Sequence, residues 1–298
     1  MKSLLNIGIT INPRGAAEQR VPCPRCAKNK RDDALGVNIE TGKFHCFRCG
    51  WKSSDESSAV ITTVRRIDDP SVAERKRERL RQTWKETVSL NHADAWPVRS
   101  YLESRALGEI LKAPPAVLRA HRGLAYWDKY SSRVVGRFPA MVALFHGASG
   151  QPATLHVTWL RADGCAKAAV GDPKKIIGVP VRGATKGGAI RLFEPRARIL
   201  GLCEGIESAL SMHLLQKLPV WSTYCAENLA AAHLPAGLLE LHIGIDVDAN
   251  GKGEQVAQSL AKRVRRWSPR TKVFIVTPEV EGTGDLNDEL RRRKHGRG

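Results

Sequence analysis

The segments Arg198-Ile-Leu-Gly-Leu-Cys-Glu204-Gly-Ile-Glu207 and Leu241-His-Ile-Gly-Ile-Asp246-Val-Asp248 constrain the fold of this 298-residue chain most strongly. Each is an apolar run of strand length that ends in acidic residues and passes into a helix-like pattern. A third apolar run, Lys272-Val-Phe-Ile-Val, is followed by Gly284-Asp285-Leu-Asn-Asp288. Buried strands alternating with helices predict an α/β unit, whose ligands lie beyond the carboxyl ends of the strands. Three strand ends would then deliver one set of carboxylates.

Carboxylates brought together repel one another unless a cation neutralises them, and hard oxygen ligands suit Mg²⁺. The expected ligands are Glu204, Asp246 and Asp248, with Asp285 and Asp288 as further acids for one or two ions. The Asp246-x-Asp248 spacing puts both side chains on one face of an extended strand. The alternative is that Glu204 caps a helix and the two aspartates open a loop. The order strand-Glu204-Gly205, strand-Asp246-x-Asp248, Gly284-Asp285-x-x-Asp288 resembles a Toprim domain over residues 196–294. That metal-binding fold is shared by bacterial-type primases, topoisomerases and some nucleases. Cellular bacterial primases usually carry an aspartate four residues after the motif glutamate; Ser208 stands there in this chain, and Glu207 precedes it. The Glu-Gly-x-Glu form resembles plasmid and phage members.

Near the start of the chain, Val21-Pro-Cys23-Pro-Arg-Cys26 and His45-Cys46-Phe-Arg-Cys49-Gly-Trp51 hold four of the seven cysteines in two Cys-x-x-Cys pairs. Such spacing fits one tetrahedral Zn²⁺ with Cys23, Cys26, Cys46 and Cys49 as structural ligands. Between the pairs, Leu35-Gly-Val-Asn-Ile and Lys43-Phe-His45 predict a β-hairpin turning at Glu40-Thr-Gly42. Arg48 and Trp51 offer a phosphate contact and a stacking face, although an aromatic in so small a unit more often packs its core. The stretch 21–53 resembles the N-terminal zinc domain of phage and plasmid primases, which implies a role in reading single-stranded template.

The charge balance is strongly basic, 48 Lys+Arg against 30 Asp+Glu for a net charge of +18, which points to a polyanionic partner. No apolar run of about 18 residues or more is present, so no membrane partner is expected and a cytoplasmic location follows. A Ser-rich polar stretch over 53–61 reads as a linker. Beyond it, a charged helix is predicted from 70 onward, with Leu80, Trp84 and Val88 as a narrow apolar stripe. A second helical patch over 95–106 would turn Trp96, Val98, Tyr101 and Leu102 inward.

Residues 113–195 read as a largely antiparallel β unit, from the runs at 140–145, 154–160 and 189–193 and the glycine turns between them. Arg161, Lys167, Lys174, Lys175 and Lys186 lie on or beside those turns and, with Lys252, are candidate nucleic-acid or nucleotide contacts. This stretch resembles the subdomain that precedes Toprim in mobile-element primases.

The resemblances together imply an α+β multidomain chain: a β zinc ribbon (1–57), a linker with helices (58–112), a basic, mainly-β subdomain (113–195) and an α/β Toprim domain (196–298). They imply a bacteriophage, plasmid or mobile-element DNA primase. In it Glu204, Asp246 and Asp248 would be catalytic in Mg-dependent synthesis of short RNA primers from ribonucleoside triphosphates on single-stranded DNA. No Gly-x-x-x-x-Gly-Lys-Ser/Thr loop occurs, so a helicase partner would act in trans. A non-catalytic zinc/Toprim recombination mediator and a Toprim nuclease are the alternative readings.

Overall fold

Fourteen consecutive residues, Arg133–His146, form the longest strand of the molecule, and over 140–143 both faces of it are buried. A strand covered on both sides reads as a continuous apolar run, which is what Ala140-Met-Val-Ala-Leu-Phe145 is. The computed structural model describes residues 9, 11, 16–29, 32–53, 70–128 and 131–296; positions 54–61 of the stretch read as a linker lie outside them. The chain divides into two compact units, Met1–Asp68 and Asp69–Gly298.

The first unit holds a three-stranded antiparallel sheet, β1 (Glu18–Val21), β2 (Leu35–Asn38) and β3 (Phe44–Cys46), in that order. The β2–β3 hairpin forms where the sequence places it. Asn38 Oδ1 accepts the amides of Glu40 and Thr41, and Gly42 supplies the positive φ of 65° that closes the turn. Alternation sends Leu35, Val37, Phe44 and Cys46 inward, against Ile9, Val21 and Trp51.

The second unit begins with α1 (Pro70–Lys85), followed by β4 (Val88–Ser89) and α2 (Trp96–Ser104). An antiparallel sheet of order β4-β5-β6-β7-β8 follows, with β5 (Leu118–Asp128), β6 (Arg133–His146), β7 (Pro152–Trp159) and β8 (Lys174–Ile177). On one face Ala140, Val142, Val157 and Trp159 pack beneath Leu80 and Trp84 of α1. On the other face Met141, Ala143 and Phe145 enter a core shared with α2 and with the second sheet. At about 1.5–3 kcal/mol for each large side chain buried, this shared core joins the two sheets firmly.

The second sheet runs β13-β12-β10-β11-β9, with β9 (Ile190–Arg191) antiparallel to β11 and the rest parallel. Its strands β10 (Ile199–Cys203), β11 (Val220–Ser222), β12 (Glu240–Gly244) and β13 (Lys272–Val276) alternate with α3 (Ile206–Gln216), α4 (Ala226–Ala231) and α5 (Lys252–Trp267), and α6 (Leu286–His295) closes the chain. From β10 the chain moves one way to β11; from β12 it moves the other way to β13. The switch point therefore lies between β10 and β12, where open sheets form their ligand crevice. Leu200, Leu202, Leu241 and Ile243 face α5, whereas Cys203 faces α3 and α6. A Cβ on Gly244 would stand 2.6 Å from Cys203 Sγ and 2.7 Å from Met212 Cε, so glycine lets α3 approach β12 closely.

Four local expectations are corrected. The α1 helix ends at Lys85, and Val88 belongs to β4, where it pairs with Ala120. Trp96 is exposed while Val98, Tyr101 and Leu102 turn inward, because the tryptophan opens the helix at its outer edge. The run at 189–193 supplies β9 to the parallel sheet rather than to the antiparallel one. The longest strand after β6, β5, was not among the runs read from sequence, because Arg119, His121, Arg122 and Gly123 interrupt its apolar pattern. Among the described residues no helix is long and apolar enough to cross a membrane.

At the start of α5 a Cβ on Gly253 would overlap the carbonyl oxygen of Asp246, whereas one on Gly171 would meet nothing within 4 Å. Gly253→Ala is expected to lower stability by about 1–3 kcal/mol despite the gain in helix propensity. Gly171→Ala should change it by less than about 0.5 kcal/mol. Urea midpoints of the two variants check this, and equal midpoints would refute the close approach.

Candidate functional site

In the first unit the loop after β1 carries Cys23 and Cys26, and the end of β3 with its turn carries Cys46 and Cys49. Their four sulfurs all lie within 4.8 Å of one another. Cys23 Sγ stands 3.9 Å from Cys49 Sγ, and Cys26 Sγ 3.5 Å from Cys46 Sγ. A tetrahedron of thiolates about 2.3 Å from a central Zn²⁺ has edges of about 3.8 Å, so the residues fit that ion. Burial alone would raise the Cys46 thiol, but the backbone N–H groups of Cys49 and Arg48 outweigh it and bring the group down to about 6. The arrangement thus already favours a thiolate.

The two ribbon residues offered as nucleic-acid contacts occupy structural positions. Arg48 Nη1 lies 2.5 Å from the buried Asp32 Oδ2 and donates to Cys26 O at 3.0 Å. Its guanidinium, with the amides of Lys28 and Ala34, holds Asp32 well below the usual carboxylate range. Trp51 is buried, its ring 4.6 Å from that of Phe44, with the Arg25 guanidinium 4.4 Å above it. The exposed aromatic is Phe47, at 63% exposure, with the Arg20 guanidinium 4.0 Å above its ring and His45 edge-on at 4.7 Å.

In the second unit the switch point collects the acids. Glu204 follows β10 directly, and its carbonyl accepts hydrogen bonds from Tyr224 N and Ser222 Oγ. Asp246 follows β12. The next residue, Val247, exchanges two backbone hydrogen bonds with Gly284, at 2.8 and 3.0 Å, and so draws Asp285 to the same edge. Asp285 caps α6 through Oδ1, which accepts the amides of Asn287 and Asp288. Burial first, then the neighbouring charges of Asp285 and Glu204, push Asp246 up to about 6. Glu204 is raised for the same reasons, burial first, with Glu227 and Asp248 adding to it. Half-buried acids gathered at one edge, two of them with their ionised forms disfavoured, fit a divalent cation. Ser208, where cellular primases have an acid, points its Oγ at Asp246 Oδ1, 3.5 Å away.

The remaining acids are placed differently. Asp248 Oδ1 accepts the amides of Asn250 and Lys252, closing the turn that starts α5. Asp288 turns back onto the amide of Asp285 and completes a capping box. Glu207 is buried in the first turn of α3, hydrogen-bonded by Tyr101 and beside Lys167. Among the described residues, the four cysteines are the one set of three or more potential ligands whose donor atoms all lie within 4.8 Å.

Lysines from the antiparallel sheet face this edge. Lys174 pairs with Thr158 across β7–β8 and lies close enough for its charge to favour the ionised forms of Glu204, Asp246 and Glu207. Lys175, one residue on, emerges on the opposite face, its ammonium 4.0 Å from the Tyr126 ring centroid and donating to Trp127 O. Lys167 Nζ is 3.8 Å from Glu207 Oε1. Near Lys174 and Lys167 is the fully buried His156, which burial and the charge of Lys174 push down to about 3, so it is neutral. Lys252 reaches Glu227 Oε1 at 3.1 Å, Arg161 pairs with Asp163 at 2.6 Å, and Lys186 is exposed.

Three residues of this region escaped the sequence reading. Tyr101 was assigned only to packing. Tyr224 adopts a φ of 74°, which turns the chain back toward Glu204. Asn228 holds the turn carrying Lys186 by accepting Gly187 N and donating to Thr185 O and Gly188 O. None has a sequence signal beyond its residue type, since each works through partners distant in the chain.

Residues 199–296 match the Toprim domain family, and residues 74–191 match a domain of unknown function (DUF7146). The C-terminal part of the second unit, with its parallel sheet and acidic edge, is a Toprim domain. The fold of the chain is similar to several solved primases. The primase fragment of the bacteriophage T7 primase-helicase protein is 14% identical, with 94% of this chain and 96% of that chain covered at a TM-score of 0.40. The DnaG primase catalytic domain bound to ssDNA is 10% identical, with coverages of 74% and 77% and a TM-score of 0.44. The zinc-binding and RNA polymerase domains of the Aquifex aeolicus primase are 14% identical, with coverages of 99% and 81% and a TM-score of 0.39. No curated protein sequence matches the chain.

The electrostatics of the acidic edge have a consequence for stability. Asp246 titrates near 6 in the fold against 3.8 ordinarily, so the native state holds the proton more tightly than the unfolded chain. The penalty is absent below about pH 4 and complete above about pH 6. In metal-free protein Asp246→Asn should therefore raise stability at pH 7.5, by on the order of 1–3 kcal/mol, with the gain vanishing toward pH 4. Thermal unfolding across that range in chelator reads the effect, and a less stable variant at pH 7.5 would contradict it.

Proposed function

We propose that this chain is a DNA primase, a DNA-directed RNA polymerase that makes short RNA primers on single-stranded DNA from ribonucleoside triphosphates. The observation that carries the reading is the meeting of Glu204, Asp246 and Asp285 at the switch point of a Toprim sheet, with Lys174 close by. In this reading Glu204, Asp246 and Asp248, with Asp285, hold one or two Mg²⁺. Bound there, the metal supplies positive charge to the triphosphate and the attacking hydroxyl. Lys174 and Lys167 orient the phosphates from the other side of the crevice, and Lys252 contributes at its rim.

The four cysteines hold one structural Zn²⁺, and the exposed Phe47, with Arg20 and His45 around it, offers a stacking face for an unpaired template base. The net charge of +18 suits a phosphate-rich partner. The working division is the sequence-based one: ribbon 1–57, linker and helices 58–112, basic β-rich unit 113–195 and Toprim 196–298. The protein would act in the cytoplasm, serving a phage, plasmid or other mobile element, with strand separation by a replicative helicase in trans.

Primer synthesis on single-stranded DNA with labelled ribonucleotides and Mg²⁺ tests the reading. Wild type should make short RNA, and Asp246→Asn should reduce the rate at least about 10³-fold. Cys46→Ser should lose the one equivalent of zinc and template-dependent initiation while still binding nucleotide, as metal analysis and nucleotide titration would record. Cleavage of the DNA without RNA product would replace the primase by a nuclease, and DNA binding without either would favour the recombination mediator.

A further inference from the structure

Glu207 follows Glu204 by three residues and lies in the first turn of α3. Its residue is 5% exposed, and Oε1 accepts a hydrogen bond from the Tyr101 hydroxyl at 2.6 Å. Lys167 Nζ lies 3.8 Å from the same oxygen. The three side chains come from α3, from α2 and from the loop between β7 and β8, so they meet only in the folded unit. Tyr101 is itself 2% exposed and has no other reason to aim its hydroxyl inward. A carboxylate whose oxygen is shared between a tyrosine and a lysine is poorly placed to ligate a cation at the sheet edge.

What this pair does follows from the chemistry of lysine. Its ammonium is a compact charge on a flexible stem, and the Lys167 side chain is 36% exposed. Left without an anion, so mobile an ammonium would sample many positions. Glu207 gives it one. Tyr101 fixes the carboxylate, and the carboxylate fixes the ammonium.

We propose that Glu207, oriented by Tyr101, is a positioning residue that holds the Lys167 ammonium for the triphosphate of the incoming nucleotide rather than a further metal ligand. The inference rests on the primase reading and extends it to a residue pair outside the acidic set. Glu207→Gln should raise the ribonucleotide KM about 5–20-fold with kcat changed less than about threefold, as Lys167→Ala should. The double variant should be no worse than the more severe single one, because the two residues act as a unit. Tyr101→Phe, which removes one hydroxyl from an otherwise unchanged core, should give a KM rise of about 2–5-fold.

Mn²⁺ binding, titrated calorimetrically without nucleotide, should stay within about twofold of wild type in all three single variants. Loss of Mn²⁺ binding in Glu207→Gln would make it a ligand and overturn the proposal, as would an unchanged KM or additive effects with Lys167→Ala. If Glu207→Gln fails to fold, Tyr101→Phe and Lys167→Ala with their double variant carry the same cycle. Absence of RNA from wild type in this assay would count against the primase reading itself, whereas RNA from wild type with an unmoved KM counts against Glu207 alone.

Discussion

The gathering of Glu204, Asp246 and Asp285 at one half-buried sheet edge is the constraint around which the second unit is arranged. Burial raises the Glu204 and Asp246 carboxyls, the charges of Asp285 and Glu204 add to the rise at Asp246, which reaches about 6, and the fold holds the acids together nonetheless. It does so with backbone. The paired hydrogen bonds of Val247 and Gly284 tie the Asp246 loop to Asp285, the Glu204 carbonyl is held by Tyr224 N and Ser222 Oγ, and Gly253 lets α5 begin against Asp246. A divalent cation is the kind of ligand that would relieve such crowding.

Positive charge reaches that edge from another sheet. The shared core of Met141, Ala143, Phe145, Ile206, Leu210 and Leu286 fixes the antiparallel sheet against the Toprim layer, so that Lys174 faces Glu204 and Asp246 and Lys167 meets Glu207. Apolar packing therefore sets electrostatics here. Burial and the charges of Lys174 and Lys167 keep the nearby His156 neutral, so it adds no positive charge of its own.

The ribbon solves a similar problem on a smaller scale. Its sheet is too small to hold four sulfurs together by burial alone, and its core is completed by Trp51 and Phe44. Arg48, clamped between Asp32 and the Cys26 carbonyl, links the two cysteine pairs. A residue that reads as a surface cation in sequence is thus part of the frame around the four cysteines.

The α+β organisation, the four-cysteine cluster, the hairpin between its halves and the acid-tipped parallel strands were all legible in the chain itself. Each depends on neighbours within a few residues: ligand spacing, alternation, apolar runs closed by acids. What could not be read was which side of an element a residue faces and what it meets there. Lys174 and Lys175 look equivalent as a pair, but a period of two sends one to the acids and the other onto Tyr126. Trp51 looks like a stacking face and is core, while Phe47 carries the exposed ring. Asp288 matches the acidic motif and closes a helix cap; Glu207 meets Tyr101 and Lys167. By itself the sequence determined which strands carry carboxylates and which cysteines share a site, because short-range spacing sets both. Only the tertiary structure decided which charges meet, because that depends on how two sheets joined by distant stretches of chain pack into one core.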